Sequence, residues 1–338
     1  MQSLDRQGFE EAAGDFDAAV RRTPEIDHFC SSSAWILAAD AALMPPREPF
    51  VRRSEHGWIA LARVPHAAGW TSLEPLETAW CLACPLAYDV RPAGIAEDLA
   101  LACTRDAPRE VLFLSGIPVA SSLEGALVRA LMPLYRLDAF SVPVVRRFRA
   151  DLTGGVDGFL SRRSASFRAR LRQAERKATR FGIVFEPVGV LGDAGAAALH
   201  ARMVALEARS WKGMEGSGLS VAEMGDFYAQ MLPRLAREGA VRAMAATHEG
   251  RDVAIIAGGV TATPDGVCFR GLQFSFDDAH RGLSLGNLAQ LSLIRALSAE
   301  GVSLYDLGSE VEYKRRWGER CLETMTLVAV PHGLHFHA

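Results

Sequence analysis

The chain runs to 338 residues with a net charge of −3, and 49% of its residues are hydrophobic against 23% charged. That is room for two domains with proper cores and an ordinary globular composition, which excludes a disordered or fibrous chain. The acidic balance argues against wholesale nucleic-acid binding, and no apolar run approaches the roughly 18 to 20 residues that cross a bilayer.

The opening MQSLDRQGFEEAAGDF carries acids where a signal peptide would be basic and then apolar, so the reading is a cytoplasmic protein without a transmembrane segment. Residues 1–28 are weakly patterned and read as one helix. A second helix spans 31–43, with SSS to cap its start and Pro45 and Pro46 to stop it. Segments 50–53 and 58–64 flank SEHG as a hairpin, and 69–88 is a strand-and-loop region. A helix at 93–104, a strand at 110–115, a helix at 123–135 and a strand at 141–149 complete the first half. Cys81 and Cys84 make a lone CxxC in the apolar AWCLACPLAY and read as buried thiols rather than zinc ligands. The nine histidines form no HExxH, and His332, His335 and His337 read as a strand edge or tail, so no metal is expected.

The second half opens with FLSRRSASFRARLRQAERKATRFG. Between Arg162 and Arg180 it holds eight basic residues against one acid, Glu175, with Phe167 and Leu171 spaced to bury one face. The basic face, with Arg168 and Arg172 on it, is either solvated or the seat of a phosphate-bearing ligand such as a nucleotide sugar, the nucleotide end of CoA or a tRNA acceptor stem. A strand at 183–188 and a helix at 194–210 follow, the helix running into Trp211, Lys212 and Gly213. Glu207 lies one turn before Trp211, so both can face one cleft; the plainer alternative packs Trp211 in the core and sets Lys212 against the helix dipole. GMEGSG reads as a loop or lid before a helix at 221–238, and strands 241–247 and 253–261 form a hairpin over HEGR.

Strand 268–276 then feeds the turn HRGLSLGN. Arg281, Gly282, Ser284, Leu285, Gly286 and Asn287 there let the backbone approach a ligand closely, with free helix amides and the Arg281 guanidinium available to phosphate oxygens. The helix behind it, 285–299, carries Leu288, Leu291, Ile294 and Leu297 on one stripe, and Gly301 closes it. Strand 302–307 returns by a right-handed crossover and ends in DLG, followed by EVEYKRRWG.

That DLG and EVEYKRRWG, with SFRARLRQAERKATRFGIVFEPV upstream, resemble the C-terminal part of GNAT-related acyltransferases of the FemAB-like and cellulose-biosynthesis CelD-like groups. The matching positions are Asp306, Leu307, Gly308, Tyr313 and Lys314, and the likeness covers at least 159–330. It implies an α/β fold of two GNAT-like halves with mixed sheets flanked by helices, a degenerate half at 1–150 and an acyltransferase half at 151–338. The order hairpin, helix, strand, helix, strand recurs in both halves without a visible sequence repeat. The first half has no turn like HRGLSLGN and is expected to be structural or to shape the acceptor site. The acetyl-CoA fingerprint [QR]-x-x-G-x-[GA] reads here Arg281, Gly282, Leu283, Ser284, Leu285, Gly286, with serine for the first glycine. This leaves open an acyl donor other than acetyl-CoA.

The resemblance implies acyl transfer from an acyl-CoA, acetyl or longer, or another thioester, to an amine of a small molecule or sugar, with a role in surface polysaccharide or envelope synthesis. The donor is a co-substrate, and no tightly bound cofactor or DNA partner is expected. An alkylammonium titrates near about 10, so the enzyme must make the neutral amine, hold the tetrahedral oxyanion and protonate the leaving group. Asp306, Glu310 and Glu312 are candidate bases or acceptor-orienting groups, Tyr313 a proton donor to the thiolate, and Lys314 a partner for developing negative charge. Each has a plain reading too: Asp306 capping the turn at Gly308, Tyr313 packing, Lys314 exposed. Glu207, Trp211, Lys212, Arg168 and Arg172 are substrate-binding candidates. Two alternatives stay open. One is FemAB-type transfer from aminoacyl-tRNA, against which stands the lack of a roughly 50-residue charged coiled segment. The other is a ligand-binding module that kept the fold and lost turnover.

Overall fold

The computed structural model describes residues 1–89, 91–138 and 144–334. The chain divides into two compact units, one from Met1 to Arg146 joined by the segment after Leu322, the other from Arg147 to Cys321. The first contains β1 (Gln2–Leu4), α1 (Arg6–Glu11), α2 (Ala13–Arg22), α3 (Ser33–Leu43), β2 (Glu48–Arg53), β3 (Gly57–Pro65), β4 (Thr71–Pro75), β5 (Leu86–Tyr88), α4 (Pro92–Asp106), β6 (Val111–Pro118), α5 (Ser122–Leu131) and β7 (Tyr135–Asp138). The second holds β8 (Val145–Asp151), α6 (Gly155–Ser161), α7 (Ala165–Arg180), β9 (Val184–Val188), α8 (Gly192–Glu207), α9 (Trp211–Met214) and α10 (Ala222–Arg237). It continues with β10 (Val241–His248), β11 (Arg251–Thr263), β12 (Gly266–Phe276), α11 (Leu285–Ala299) and β13 (Leu304–Ser309). The last strand, β14 (Arg320–Pro331), returns to the first unit.

In the first unit the strands run β1-β2-β3-β4-β6-β14, with β5 on β3 and β7 on β14; among the described residues only β4 and β6 pair in parallel. In the second the order is β8-β13-β12-β11-β10-β9, and among the described residues only β12 and β13 pair in parallel. The strands of each unit are therefore an antiparallel meander, then a crossover carrying a helix, α4 or α11, into a parallel strand with one more antiparallel strand beyond it. The recurring order read from the sequence is a recurring mixed α/β topology.

Several elements differ from the sequence reading. Residues 1–28 are not one helix: β1 comes first, and Asp5 restarts the chain as α1 by accepting from the Gly8 amide at 2.8 Å. The helix expected at 123–135 stops at Leu131, and Tyr135 begins β7. Of the strand expected at 141–149, residues 141–143 lie outside the described residues, and from Arg147 onward the strand pairs with β13 in the second unit rather than ending the first. Strand β14 was not anticipated, although TMTLVAV is rich in β-branched residues. His335 and His337 lie outside the described residues. Among the described residues no helix is long and apolar enough to cross a membrane.

The core of the second unit gathers Phe159, Phe167, Leu171, Phe269, Tyr305 and Trp317. Trp317, 2% exposed, stacks on Phe159 with ring centres 5.9 Å apart and meets the edge of Phe167 at 5.1 Å. Burying each such ring is worth roughly 1.5 to 3 kcal/mol. These contacts fix the apolar side of α7 inward, so its cations face outward.

Candidate functional site

The parallel pair β12–β13 is short. It runs Cys268↔Leu304, Phe269↔Tyr305, Arg270↔Asp306, and stops. Beyond that point β12 follows β11 to Ala254↔Phe276, while β13 follows β8 to Ser309↔Arg147. Both outer ladders carry an irregularity here, between Ala257 and Gly258 and between Asp306 and Ser309. Gly258 admits the first because a Cβ there would lie 2.1 Å from the Arg270 carbonyl, and Gly308 admits the second with φ of 77°. The sheet opens as a wedge with Arg270 and Asp306 at its vertex.

Asp306, 2% exposed, accepts from Arg147 at 2.9 Å, Arg149 at 3.3 Å, Arg270 at 3.0 Å and the Gly308 amide at 2.8 Å. The plain reading as a turn cap at Gly308 is correct in geometry, and three guanidiniums complete it. The carboxylate is a clamp across three strands.

Beyond the wedge, the turn Glu312–Arg316 sends consecutive side chains to different places. Lys314 reaches back to the strand end, where its Nζ donates to the Ser309 carbonyl at 2.9 Å. A Cβ on Gly308 would lie 3.5 Å from Lys314 Nζ and 3.6 Å from Arg270 Nη2, so the two cations meet above that residue. Burial, then Arg270, push the Lys314 ammonium down to about 8, against the pull of Asp306. Tyr313 points instead into a neighbouring cavity; it is half-exposed, and the protein around it raises its phenol. Glu310 pairs with Arg315, and Glu312 is exposed.

That cavity, about 390 Å³, lies between α7 and the start of α11 and is lined by Gly282, Ser284, Asn287 and Tyr313 among others. Ser284 stands in the left-handed region, φ 55° and ψ 37°, at the N-terminal boundary of α11, and its side chain caps nothing. The serine thus holds the backbone shape the fingerprint glycine would take freely. Gly286 has another reason: a Cβ would meet the Phe274 ring at 2.7 Å, so this glycine lets α11 pack on β12. Leu285 is core at 1% exposed and offers only its backbone. Arg281 pairs with Asp278 at 2.7 Å and does not line the cavity. The cations that do are Arg170, Lys177 and Arg316.

Glu207 and Trp211 do not share a cleft. Glu207, 1% exposed, accepts from the Leu219 amide, the Gln273 amide and the Ser275 hydroxyl, tying α8 and the loop after α9 to β12. Trp211 is 41% exposed rather than core. Lys212 donates to the Phe274 carbonyl at 2.7 Å and stands 4.0 Å from Glu207; burial lowers its ammonium, with Glu207 opposing. On the basic helix, Arg168 turns back to the Leu160, Ser161 and Arg163 carbonyls at 3.2 to 3.4 Å and closes the end of α6, whereas Arg172 is exposed. Arg270 escaped the sequence reading, although an arginine inside the aromatic run VCFRGLQFSF was its signal.

A meander, a helix and a parallel strand that parts from its neighbour make a mixed α/β plan, and that order of elements occurs in both units. Residues 165–315, a little under half of the chain, match the family Acetyltransf_6, described as an acetyltransferase (GNAT) domain. No curated protein sequence matches the chain. Among solved structures, FemX is similar with a TM-score of 0.63 and 12% identity over 98% of this chain and 97% of FemX. A conserved protein of unknown function from Bacteroides thetaiotaomicron gives 0.62 and 8% over 97% and 100%. L-PGS from Bacillus licheniformis gives 0.51 and 12% over 93% and 94%. These are likenesses of fold.

Proposed function

We propose that the chain is an N-acyltransferase that moves an acyl group from a thioester to the amine of a small molecule or sugar. The observation that carries this reading is the opening between β12 and β13 with the half-buried Lys314 ammonium at its end. The donor's phosphates would lie against the first turn of α11, where helix amides have no partner within the helix, beside Ser284 and Asn287. Its arm would run past Tyr313 into the wedge, along the backbone of β12 that β13 no longer pairs.

In this reading the neutral acceptor amine attacks the thioester carbonyl, and Lys314 stabilises the oxygen as it gains charge. The carbon–sulfur bond then breaks, Tyr313 gives its proton to the thiolate, and the nitrogen's surplus proton restores the phenol. Glu310 and Glu312 orient the acceptor, Lys212 lines the other side of the wedge, and Asp306 with its arginines holds the vertex rigid. The first half, residues 1–150 in the sequence reading, keeps a structural or acceptor-shaping role, and acceptors used in envelope or surface polysaccharide synthesis fit the resemblance.

Thermal stability of the purified protein with acetyl-CoA, longer acyl-CoAs, free CoA, carrier-protein thioesters and aminoacyl-tRNA tests the donor, because a ligand at 100 times its Kd adds about 2.7 kcal/mol. A shift with one thioester is expected, with turnover that Lys314→Met and Tyr313→Phe lower sharply while the shift remains. A shift with aminoacyl-tRNA alone transfers the reading to the FemAB-type reaction. Binding without turnover of any amine makes the chain a binding module.

A further inference from the structure

We propose that the outer face of α7, with Arg315 and Arg316, is the docking surface for an acidic carrier protein that delivers the acyl group on a phosphopantetheine arm. This rests on the thioester reading above and names what carries the thioester.

The cavity beside Tyr313 continues into a second concavity of about 330 Å³, the two sharing Phe167, Arg170 and Arg316. Six cations line the pair: Arg162 and Arg163 pair with Glu319 and Arg315 with Glu310, while Arg170, Lys177 and Arg316 have no ion-pair partner among the described residues. From Lys177 at one end to Ser164 at the other is roughly 20 Å along a helix, longer than one nucleotide needs. Arg172, Arg176 and Arg180 add an exposed ridge at successive fourth positions, roughly 12 Å long. None of these three makes an ion pair among the described residues. A small thioester such as an acyl-CoA fills the cavity but leaves that ridge without a counterpart. An acidic helix lying along α7 neutralises the ridge while its arm enters beside Tyr313.

Two observations favour a protein over RNA. The chain as a whole carries −3, so its long-range field opposes an extended polyanion and suits a compact partner with one acidic face. Among the described residues Tyr313 is the one half-exposed aromatic ring in the lining, whereas single-stranded RNA is held on several stacking surfaces.

The test uses the full chain and a labelled acyl carrier protein bearing an acyl-pantetheine, with binding followed by fluorescence anisotropy and acyl transfer to an amine followed in parallel. The variant is Arg176→Glu/Arg180→Glu, whose residues lie outside the cavity, with circular dichroism as the check on folding. The expected result is a loss of carrier-protein affinity of at least tenfold, growing weaker in high salt, while transfer from the corresponding acyl-CoA stays within twofold. If acyl-CoA is turned over and the carrier protein neither binds nor donates, the docking proposal falls and the acyltransferase reading stands. If a tRNA acceptor minihelix binds tighter than the carrier protein and loses affinity with the same variant, the surface belongs to RNA. If no thioester supports transfer, the function itself is refuted and this inference with it.

Discussion

Replacing Lys314 by methionine should make the protein both more stable and less active. An ammonium brought from 10.5 to about 8 carries a charge penalty of about 3 kcal/mol at neutral pH, at roughly 1.4 kcal/mol per tenfold. Residual solvent around a partly buried side chain screens part of this, and the hydrogen bond to Ser309 returns about 1 kcal/mol. A net gain of about 1 kcal/mol in urea denaturation at pH 7 is therefore expected for the variant. Below about 8 the lysine is charged in both states and the wild type bears the whole penalty. Between about 8 and 10.5 the unfolded lysine holds a proton that the native one has released, so wild-type stability rises with pH and the gap to the variant closes. Turnover should fall by about 100-fold or more with KM little changed, since the charge is needed where the oxyanion forms. A variant less stable than the wild type at neutral pH, or a gap that does not narrow on the alkaline side, refutes the assignment of a penalised cation.

Three more outcomes follow from local geometry. Ser284→Gly relieves a left-handed serine and should raise stability by roughly 0.5 to 1 kcal/mol after the extra chain entropy of glycine, read as an upward Tm shift; a downward shift counts against strain at this turn. Gly286→Ala drives a methyl into the Phe274 ring and should cost about 1 to 3 kcal/mol in denaturant unfolding, whereas a neutral result would mean that α11 does not rest on β12 through this contact. Glu207→Ala removes the acceptor that holds the Leu219 amide, Gln273 and Ser275, so limited proteolysis should cut near residues 213–220 far faster than in the wild type; equal cutting rates would dismiss the carboxylate as the anchor of that loop.

The strand, turn and helix from Gly266 to Ala299 were legible because each has a local cause: β-branched and aromatic residues, a glycine-containing turn, a leucine stripe. Tyr313 and Lys314 were legible as a pair, but not their divergence, since spacing in a short turn does not say which of two neighbours faces a cavity and which a strand end. The surroundings of Asp306 were not legible for a different reason. Its partners Arg147, Arg149 and Arg270 lie 36 to 159 positions away in the chain, and only the sheet order brings them together. The roles of Ser284 and Gly286 were nearly interchanged: the sequence marks where glycine is missing, while the structure shows which backbone is strained and which Cβ has no room.

The return of β14 to the first unit has a consequence for how the protein is made. On the ribosome, β6 and β7 emerge before the second unit, yet the strand that pairs with both is translated only after it. Through synthesis of the whole second unit the first carries an unpaired strand edge, an aggregation hazard that nascent-chain chaperones would have to cover. A premature stop before Arg320 would therefore damage the half of the protein that was translated first.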